Sequence, residues 1–135
     1  MIKYYMFSIQ KKYQKYSDKD SKALFQILEN LYNLDISKVN YGVSIYNQLC
    51  KKIDTKTILN FFKEKYPNYQ YINNRIINNS KEKALLEVDN CCLVLYTTAH
   101  ISTFFKNILI CDATIFVCDF DTSDYFWLKK TFNYK

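Results

Sequence analysis

The stretch that decides the fold is Ile115–Phe120 (IFVCDF), followed by Asp121–Asp124 (DTSD) and Tyr125–Leu128 (YFWL). Its first part is β-branched and aromatic without helical spacing, and a short apolar run that ends in turn-forming residues is typical of an interior strand. Asp, Thr and Ser form turns through local hydrogen bonds between side chain and backbone. We therefore predict a buried strand, a polar turn and a second short strand, on which Trp127 caps one edge of the core.

The rest of the chain alternates between helix and strand patterns. Three segments have the apolar spacing or start and stop signals of amphipathic helices: Ser17 to about Asn33, Asp54 or Thr55 to Pro67, and about residues 98 to 110. Five further segments are predicted as strands: 3–9, 39–46, 69–77, 83–88 and 91–96. In the second of these, Gly42 marks a bulge or a close approach of two backbones. The segment Gln10–Tyr16 is expected to form one or two helical turns.

The composition and the order of elements together predict the fold class. The chain has 135 residues, of which 49% are hydrophobic and 18% aromatic, and it contains one glycine and one proline. Such a composition supports a packed core and excludes a disordered chain. We predict an α/β (α+β) protein whose residues 1–135 form a single two-layer domain, a mixed β-sheet covered by about three amphipathic helices.

A formal net charge of +6 raises the question of nucleic-acid binding. Every basic residue except Arg75 is a lysine, and arginine is the side chain best suited to bidentate contacts with phosphate and guanine. Codons rich in A and T encode the abundant Lys, Asn, Ile, Tyr and Phe, so genome composition explains much of the charge. We therefore expect no direct nucleic-acid contact, and a small basic nucleic-acid-binding module is the alternative function.

Cysteine usage and hydropathy predict the compartment. The five cysteines are an odd number without paired spacing, and they are Cys50, Cys91, Cys92, Cys111 and Cys118. The N-terminus has no apolar run of the kind found in signal peptides, and no apolar segment has the length of a membrane span. We expect a cytoplasmic protein with free, mostly buried thiols and no contact with a membrane.

No combination of residues predicts a reaction centre. Asp119 and Asp121 resemble the nucleophile loop of haloacid dehalogenase-type phosphatases, but too little chain follows them to supply the other carboxylates and the lysine. His100 is the sole histidine, and the vicinal pair Cys91-Cys92, placed on a presumed strand, lacks zinc-site spacing. One glycine excludes a phosphate-binding P-loop and a dinucleotide fingerprint. We predict no catalytic residue, no cofactor and no metal.

Aromatic and basic residues in the segment Lys11–Tyr16 (KKYQKY) point instead to a protein-binding surface. Tyr13 and Tyr16 would share one face of a helix, with lysines beside them. Tyrosine contributes a large contact area for little lost rotamer freedom, which is why it is frequent at interaction hot spots. The alternative is that both rings simply lie along the next helix.

The two ends of the chain resemble a known family. The segment Tyr4–Ile9 (YYMFSI), which leads into the Lys/Tyr segment and a helix with Leu24-Phe25, is similar to the opening of the sporulation inhibitor of replication (SirA) family of spore-forming Firmicutes. The closing pattern resembles that family's C-terminal signature, and it reads Phe116-x-Cys118-Asp119-Phe120-Asp121-x-Ser123-x-Tyr125-x-Trp127-Leu128. Roughly residues 35 to 85 match by pattern alone.

This resemblance implies a non-catalytic α/β protein that binds the N-terminal domain of the replication initiator DnaA. Binding would occlude the initiator, so that a cell entering sporulation does not begin another round of replication. The family's contact surface falls on Tyr13 and Tyr16, with Lys12 at the rim. A second contact region falls around Tyr46 and Gln48.

Overall fold

The computed structural model describes residues 1–132, and a seven-stranded antiparallel β-sheet runs through this part of the chain. The strands are β1 (Ile2–Ser8), β2 (Gln70–Ile72), β3 (Arg75–Asn79), β4 (Lys83–Val88), β5 (Leu93–Thr97), β6 (Ile115–Asp119) and β7 (Asp124–Trp127). Their order in the sheet is β2-β3-β4-β5-β1-β6-β7. The first strand therefore lies between two strands from the second half of the sequence, and it joins the two ends of the chain.

Five α-helices accompany the sheet within residues 1–132: α1 (Asp18–Tyr32), α2 (Val39–Leu49), α3 (Thr55–Lys65), α4 (Thr103–Cys111) and α5 (Leu128–Thr131). Two 3₁₀ turns, Lys11–Tyr13 and Ile36–Lys38, precede α1 and α2. The side chains of Ser17, Asp54 and Ser102 cap the N-termini of α1, α3 and α4 by accepting a backbone N–H. The predicted starts of α1 and α3 are confirmed, whereas α4 begins about five residues later than predicted because its cap is Ser102.

The strand β6 is buried on both faces, and its side chains separate two hydrophobic cores. Ile115 and Val117 point into the larger core, which α3 and α4 cover. Phe116 and Cys118 point into the smaller core, which α1 and the end of α2 cover. The α/β fold class is confirmed, and the sheet thus carries a second helical layer, at its β6–β7 end, that the two-layer prediction did not include.

The closing strand, turn and strand form as predicted. Ser123 adopts a positive φ of 59° in the turn, and the register pairs Asp119 with Asp124 and Phe116 with Trp127. The indole of Trp127 is 4% exposed, and its Nε1 donates to the Ser21 hydroxyl at 3.1 Å. Trp127 therefore closes the smaller core against α1.

The prediction of a strand at 39–46 is wrong, because these residues form most of α2. The alternation of Val39, Tyr41, Val43 and Ile45 fits a strand, but the helical spacing of Tyr41, Ile45 and Leu49 is equally present, and packing decides between them. Gly42 does allow a close approach, since a Cβ at this position would lie 2.6 Å from Leu34 Cδ2. The close approach is between α2 and the Leu34 side chain, and not at a β-bulge.

Three smaller differences concern the sheet. It is antiparallel throughout the described residues, not mixed. The predicted strand at 69–77 is divided by a turn in which Asn73 has a φ of 54°. The strands β4 and β5 form a hairpin, and Cys91 and Cys92 lie in its loop rather than on a strand, since β5 begins at Leu93.

Candidate binding site

Backbone hydrogen bonds hold the end of β1 against the end of α2. The backbone N–H of Gln10 donates to the carbonyl of Leu49 at 2.9 Å, and the N–H of Lys51 donates to the carbonyl of Ser8 at 2.8 Å. The side-chain amide of Gln10 adds a bond of 3.1 Å to the carbonyl of Cys50. These bonds bring the two predicted contact segments, residues 10–16 and 46–48, to the same side of the molecule.

A groove with a volume of about 330 Å³ opens between the 3₁₀ turn Lys11–Tyr13, α1 and α2. We call it the α1–α2 groove. Its walls are formed by Tyr13, Ile27, Asn30, Leu31, Leu34, Tyr41, Ile45, Gln48 and Leu49. Seven of these nine side chains are aliphatic or aromatic and none is charged, and the amides of Asn30 and Gln48 supply the polar contacts. The groove thus suits a predominantly apolar group with one or two hydrogen-bonding atoms.

Two of the predicted site residues, Tyr13 and Gln48, line this groove together. Tyr13 is half-buried because one side of its ring packs on the smaller core. The ammonium group of Lys12 lies 5.6 Å from the centroid of the Tyr13 ring, within cation–π range. The structure therefore places a partly fixed aromatic ring and a cation at one end of the groove.

Tyr16 lies apart from Tyr13. The segment between them is not helical beyond the 3₁₀ turn, so the two rings do not share one helix face as predicted. The Tyr16 ring meets Trp127 edge-on at a centroid distance of 5.0 Å, and the ammonium of Lys130 lies 4.9 Å above it. These contacts direct Tyr16 toward β7 and α5 rather than toward the groove.

Tyr46 also lies outside the groove lining. Its hydroxyl donates to the backbone carbonyl of Cys91 at 2.6 Å, which ties α2 to the loop between β4 and β5. Burial, reinforced by the nearby thiols, raises the pKa of Tyr46 well above its ordinary value. The Tyr46 hydroxyl is thus a neutral donor that holds α2 in place.

Exposed apolar side chains extend the groove along α2. Tyr41 is 62% exposed, and Ile36, Val39 and Val43 are each more than half exposed. Ile27 lies on α1, where the apolar spacing predicts a buried stripe of an amphipathic helix, but it is 41% exposed at the groove wall. Sequence reasoning missed Ile27 and Tyr41 as site residues, because a buried stripe and a strand were predicted where they lie.

Of the residues considered for chemistry, Asp119 has a structural role. Both carboxylate oxygens of Asp119 accept hydrogen bonds from its own turn: Oδ1 from the N–H groups of Asp121 and Thr122, and Oδ2 from the Thr122 hydroxyl. Asp121 and His100 are exposed. Asp119 therefore fixes the β6–β7 turn.

The cysteines are all reduced, and burial raises the pKa of four of the thiols. The values rise to about 12 for Cys50 and Cys92 and to about 11 for Cys111, and the pKa of Cys118 rises further. Cys50 and Cys118 are buried, Cys92 and Cys111 are half-buried and Cys91 is exposed, so fewer thiols are fully buried than expected. Among residues 1–132, no group of three or more His, Cys, Asp or Glu side chains is arranged to hold a metal ion.

The helices of the described residues include none with the length and apolar character needed to cross a bilayer. No protein-family model matches the sequence, and no curated protein matches it either. The evidence for function is therefore the placement of the residues themselves.

Proposed function

We propose that this protein is a non-catalytic cytoplasmic inhibitor of replication initiation in a sporulating Firmicute, which binds the N-terminal domain of DnaA through the α1–α2 groove. The observation that supports this most is the position of Tyr13 and Gln48. They come from two segments far apart in sequence, each assigned to the contact surface through the SirA resemblance, and they line one groove.

The groove has the features of a protein-binding hot spot. Its apolar walls are open to solvent at Ile27 and Tyr41, so a partner side chain that fills it removes apolar surface from water. Tyr13 is already held on one side by the smaller core, so its ring loses little freedom on binding. A standard interface of about 1,600 Å² would extend from the groove over the exposed face of α2.

The lysines beside the groove favour an acidic or mixed partner surface. Lys11 and Lys12 lie in the 3₁₀ turn and Lys15 follows it, and all three are exposed. Charges at the rim of an interface mainly accelerate association and contribute little to affinity once solvated. Binding to the DnaA domain should therefore weaken only mildly with added salt.

The predicted site residues have two kinds of role in this proposal: contact with the partner and support of the contact segments. Tyr13, Lys12 and Gln48 contact the partner. Tyr16, through Trp127, and Tyr46, through the Cys91 carbonyl, hold the two contact segments in position. No catalytic residue or cofactor is required, since inhibition follows from occupying a surface that other replication proteins use.

Titration calorimetry with the purified N-terminal domain of the host's DnaA tests the proposal. Tyr13→Ala should weaken binding by at least about 2 kcal/mol, the threshold for a hot spot. Tyr13→Phe keeps the ring and should bind nearly as well as the wild type.

Tyr96→Ala, which lies on β5 outside the groove, is the matched control and should leave affinity unchanged. If the wild-type protein does not bind the DnaA domain, the proposed partner is wrong. If it binds and Tyr13→Ala binds equally well, the partner stands and the groove is not the contact surface.

A further inference from the structure

One face of the sheet carries apolar and aromatic side chains that the helices of residues 1–132 leave largely uncovered, although Tyr32 at the end of α1 contacts Tyr5. On the side of the smaller core, the cross-strand register aligns Ile77, Leu85, Tyr96 and Lys3 in one row across β3, β4, β5 and β1. Ile77, Leu85 and Tyr96 are half-buried and belong to neither core. We call this surface the open sheet face.

Two tyrosines on neighbouring strands dominate the open sheet face. Tyr5 on β1 and Tyr96 on β5 flank Lys3, whose ammonium lies 4.9 Å from the centroid of the Tyr5 ring and 5.3 Å from that of Tyr96. Lys3 is directly opposite Tyr96 in the register. Ring contacts with Tyr32 and Phe120, at 5.1 and 5.3 Å, hold Tyr5 in place. The result is a pair of rings with a cation between them.

The charge of the open sheet face is positive. A shallow depression on this face is lined by two cations, Arg75 and Lys83, and by one carboxylate, Glu87, whose oxygen lies 3.6 Å from the Arg75 Nε. Lys3 lies beside this depression, opposite Tyr96, which also lines it. One carboxylate against three cations leaves an excess of positive charge around an apolar, aromatic centre. This combination complements a polyanion with flat apolar groups.

We propose that the open sheet face, through Tyr5 and Tyr96 with Lys3 between them, binds single-stranded nucleic acid without sequence preference. Bases stack on the tyrosine rings, and phosphates pair with Lys3, Arg75 and Lys83. A duplex does not offer its base faces, so only a single strand uses the rings. This proposal departs from the expectation of no direct nucleic-acid contact, which rested on the single arginine of the chain, because stacking on tyrosine rings needs no readout of base edges. This surface is separate from the α1–α2 groove and does not depend on the proposed partner.

Fluorescence anisotropy with a labelled oligothymidylate of about twelve nucleotides tests the proposal, since the single-strand sites of OB folds span roughly 4–16 nucleotides. We expect binding at 50 mM salt that is tighter than about 100 µM, the weak end of non-specific nucleic-acid binding. With three phosphate contacts, affinity should fall roughly 20-fold between 50 and 200 mM salt. A duplex of the same length should bind distinctly less well.

Variants distinguish the contribution of base stacking to affinity from the contribution of charge. Tyr96→Ala should weaken binding at least about fivefold, because stacking of one base contributes roughly 1–3 kcal/mol. Tyr96→Phe keeps the ring and should bind like the wild type. Lys83→Ala should reduce both the affinity and the salt dependence, whereas Lys56→Ala on α3, which packs on the opposite side of the sheet, should change neither.

Amide chemical-shift mapping on the wild-type protein provides a measurement that needs no variant to fold. Shifts confined to β1, β3, β4 and β5 on adding the oligonucleotide support the proposal. Absence of binding at 50 mM salt, equal binding of duplex and single strand, or shifts confined to the lysines of the 3₁₀ turn would each overturn it.

Discussion

Glu82 links three parts of the fold, and its replacement should destabilise the protein measurably. Its carboxylate accepts four hydrogen bonds: from the hydroxyls of Thr97 and Ser102, and from the backbone N–H and the hydroxyl of Thr103. Thr97 ends β5, whereas Ser102 and Thr103 begin α4. Glu82 thus fastens the start of α4 to the end of β5 and places a negative charge at a helix N-terminus.

The expected loss follows from these contacts. A hydrogen bond to a charged group contributes about 1.5–3 kcal/mol. Glu82 is only half-buried, so water can replace part of its hydrogen bonding in the variant. We therefore expect Glu82→Ala to lower the free energy of unfolding by roughly 2–4 kcal/mol. For a chain of this length that corresponds to a decrease in Tm of roughly 6–12 °C. Glu82→Gln keeps one acceptor oxygen without the charge and should lose about half as much.

The pH dependence provides a second measurement of the same interaction. Burial alone would raise the pKa of Glu82, but the hydrogen bonds from Ser102, Thr97 and Thr103 outweigh it and lower the pKa below its ordinary value. The carboxylate's contribution to the free energy of unfolding is therefore complete above the unfolded-state pKa of about 4.3. It is lost as the pH falls through the lowered folded-state pKa.

Urea unfolding of the wild type and the variants at pH 7 and at pH 3 measures both effects, with Glu64→Ala, an exposed carboxylate on α3, as the control. The stability difference between wild type and Glu82→Gln should be largest at pH 7 and shrink toward pH 3. A loss of less than about 1 kcal/mol in Glu82→Ala would refute the reasoning, as would a difference independent of pH.

Two further predictions concern Gly42 and the β6–β7 turn. In Gly42→Ala, the new methyl group displaces the Leu34 side chain, but alanine gains about 1 kcal/mol in helix propensity over glycine. Because the two effects offset each other, the free energy of unfolding in urea should stay within about 1 kcal/mol of the wild-type value. A loss above about 2 kcal/mol would show that Leu34 cannot move. Asp119→Ala removes three hydrogen bonds and should lower the free energy of unfolding by about 1–3 kcal/mol, without affecting any hydrolytic activity. Mg²⁺-dependent hydrolysis of a phosphate ester by the wild type that is lost in this variant would contradict the turn assignment.

Local signals in the sequence were reliable where the responsible interaction is itself local. Ser17 and Asp54 cap their helices by accepting an N–H three residues ahead, and the polar turn after Asp119 is made of neighbouring hydrogen bonds. These interactions involve residues within one helical turn of each other, so composition and spacing suffice to predict them.

The misassigned α2 shows where such reasoning fails. The segment from Val39 to Tyr46 fits both the two-residue repeat of a strand and the 3.6-residue repeat of a helix. The contacts that select the helix lie outside the segment: Leu34 packs near Gly42, and the carbonyl of Leu49 accepts a hydrogen bond from Gln10. The order of the strands in the sheet could not be predicted for the same reason, because no local pattern indicates that β1 lies between β5 and β6. The candidate site was therefore predicted as two separate segments, and only the fold joins them.

The larger core and the two proposed binding surfaces lie on opposite sides of the sheet. The larger core, where Phe62, Phe104 and Phe105 are almost completely buried, lies beneath α3 and α4, and Glu82 fastens that layer. The opposite side carries both the α1–α2 groove and the open sheet face. The side chains of these two surfaces are partly exposed, so substitutions there leave no cavity in the larger core. Substitutions at Tyr13 or Tyr96 should accordingly alter binding far more than stability, whereas Glu82→Ala should do the reverse.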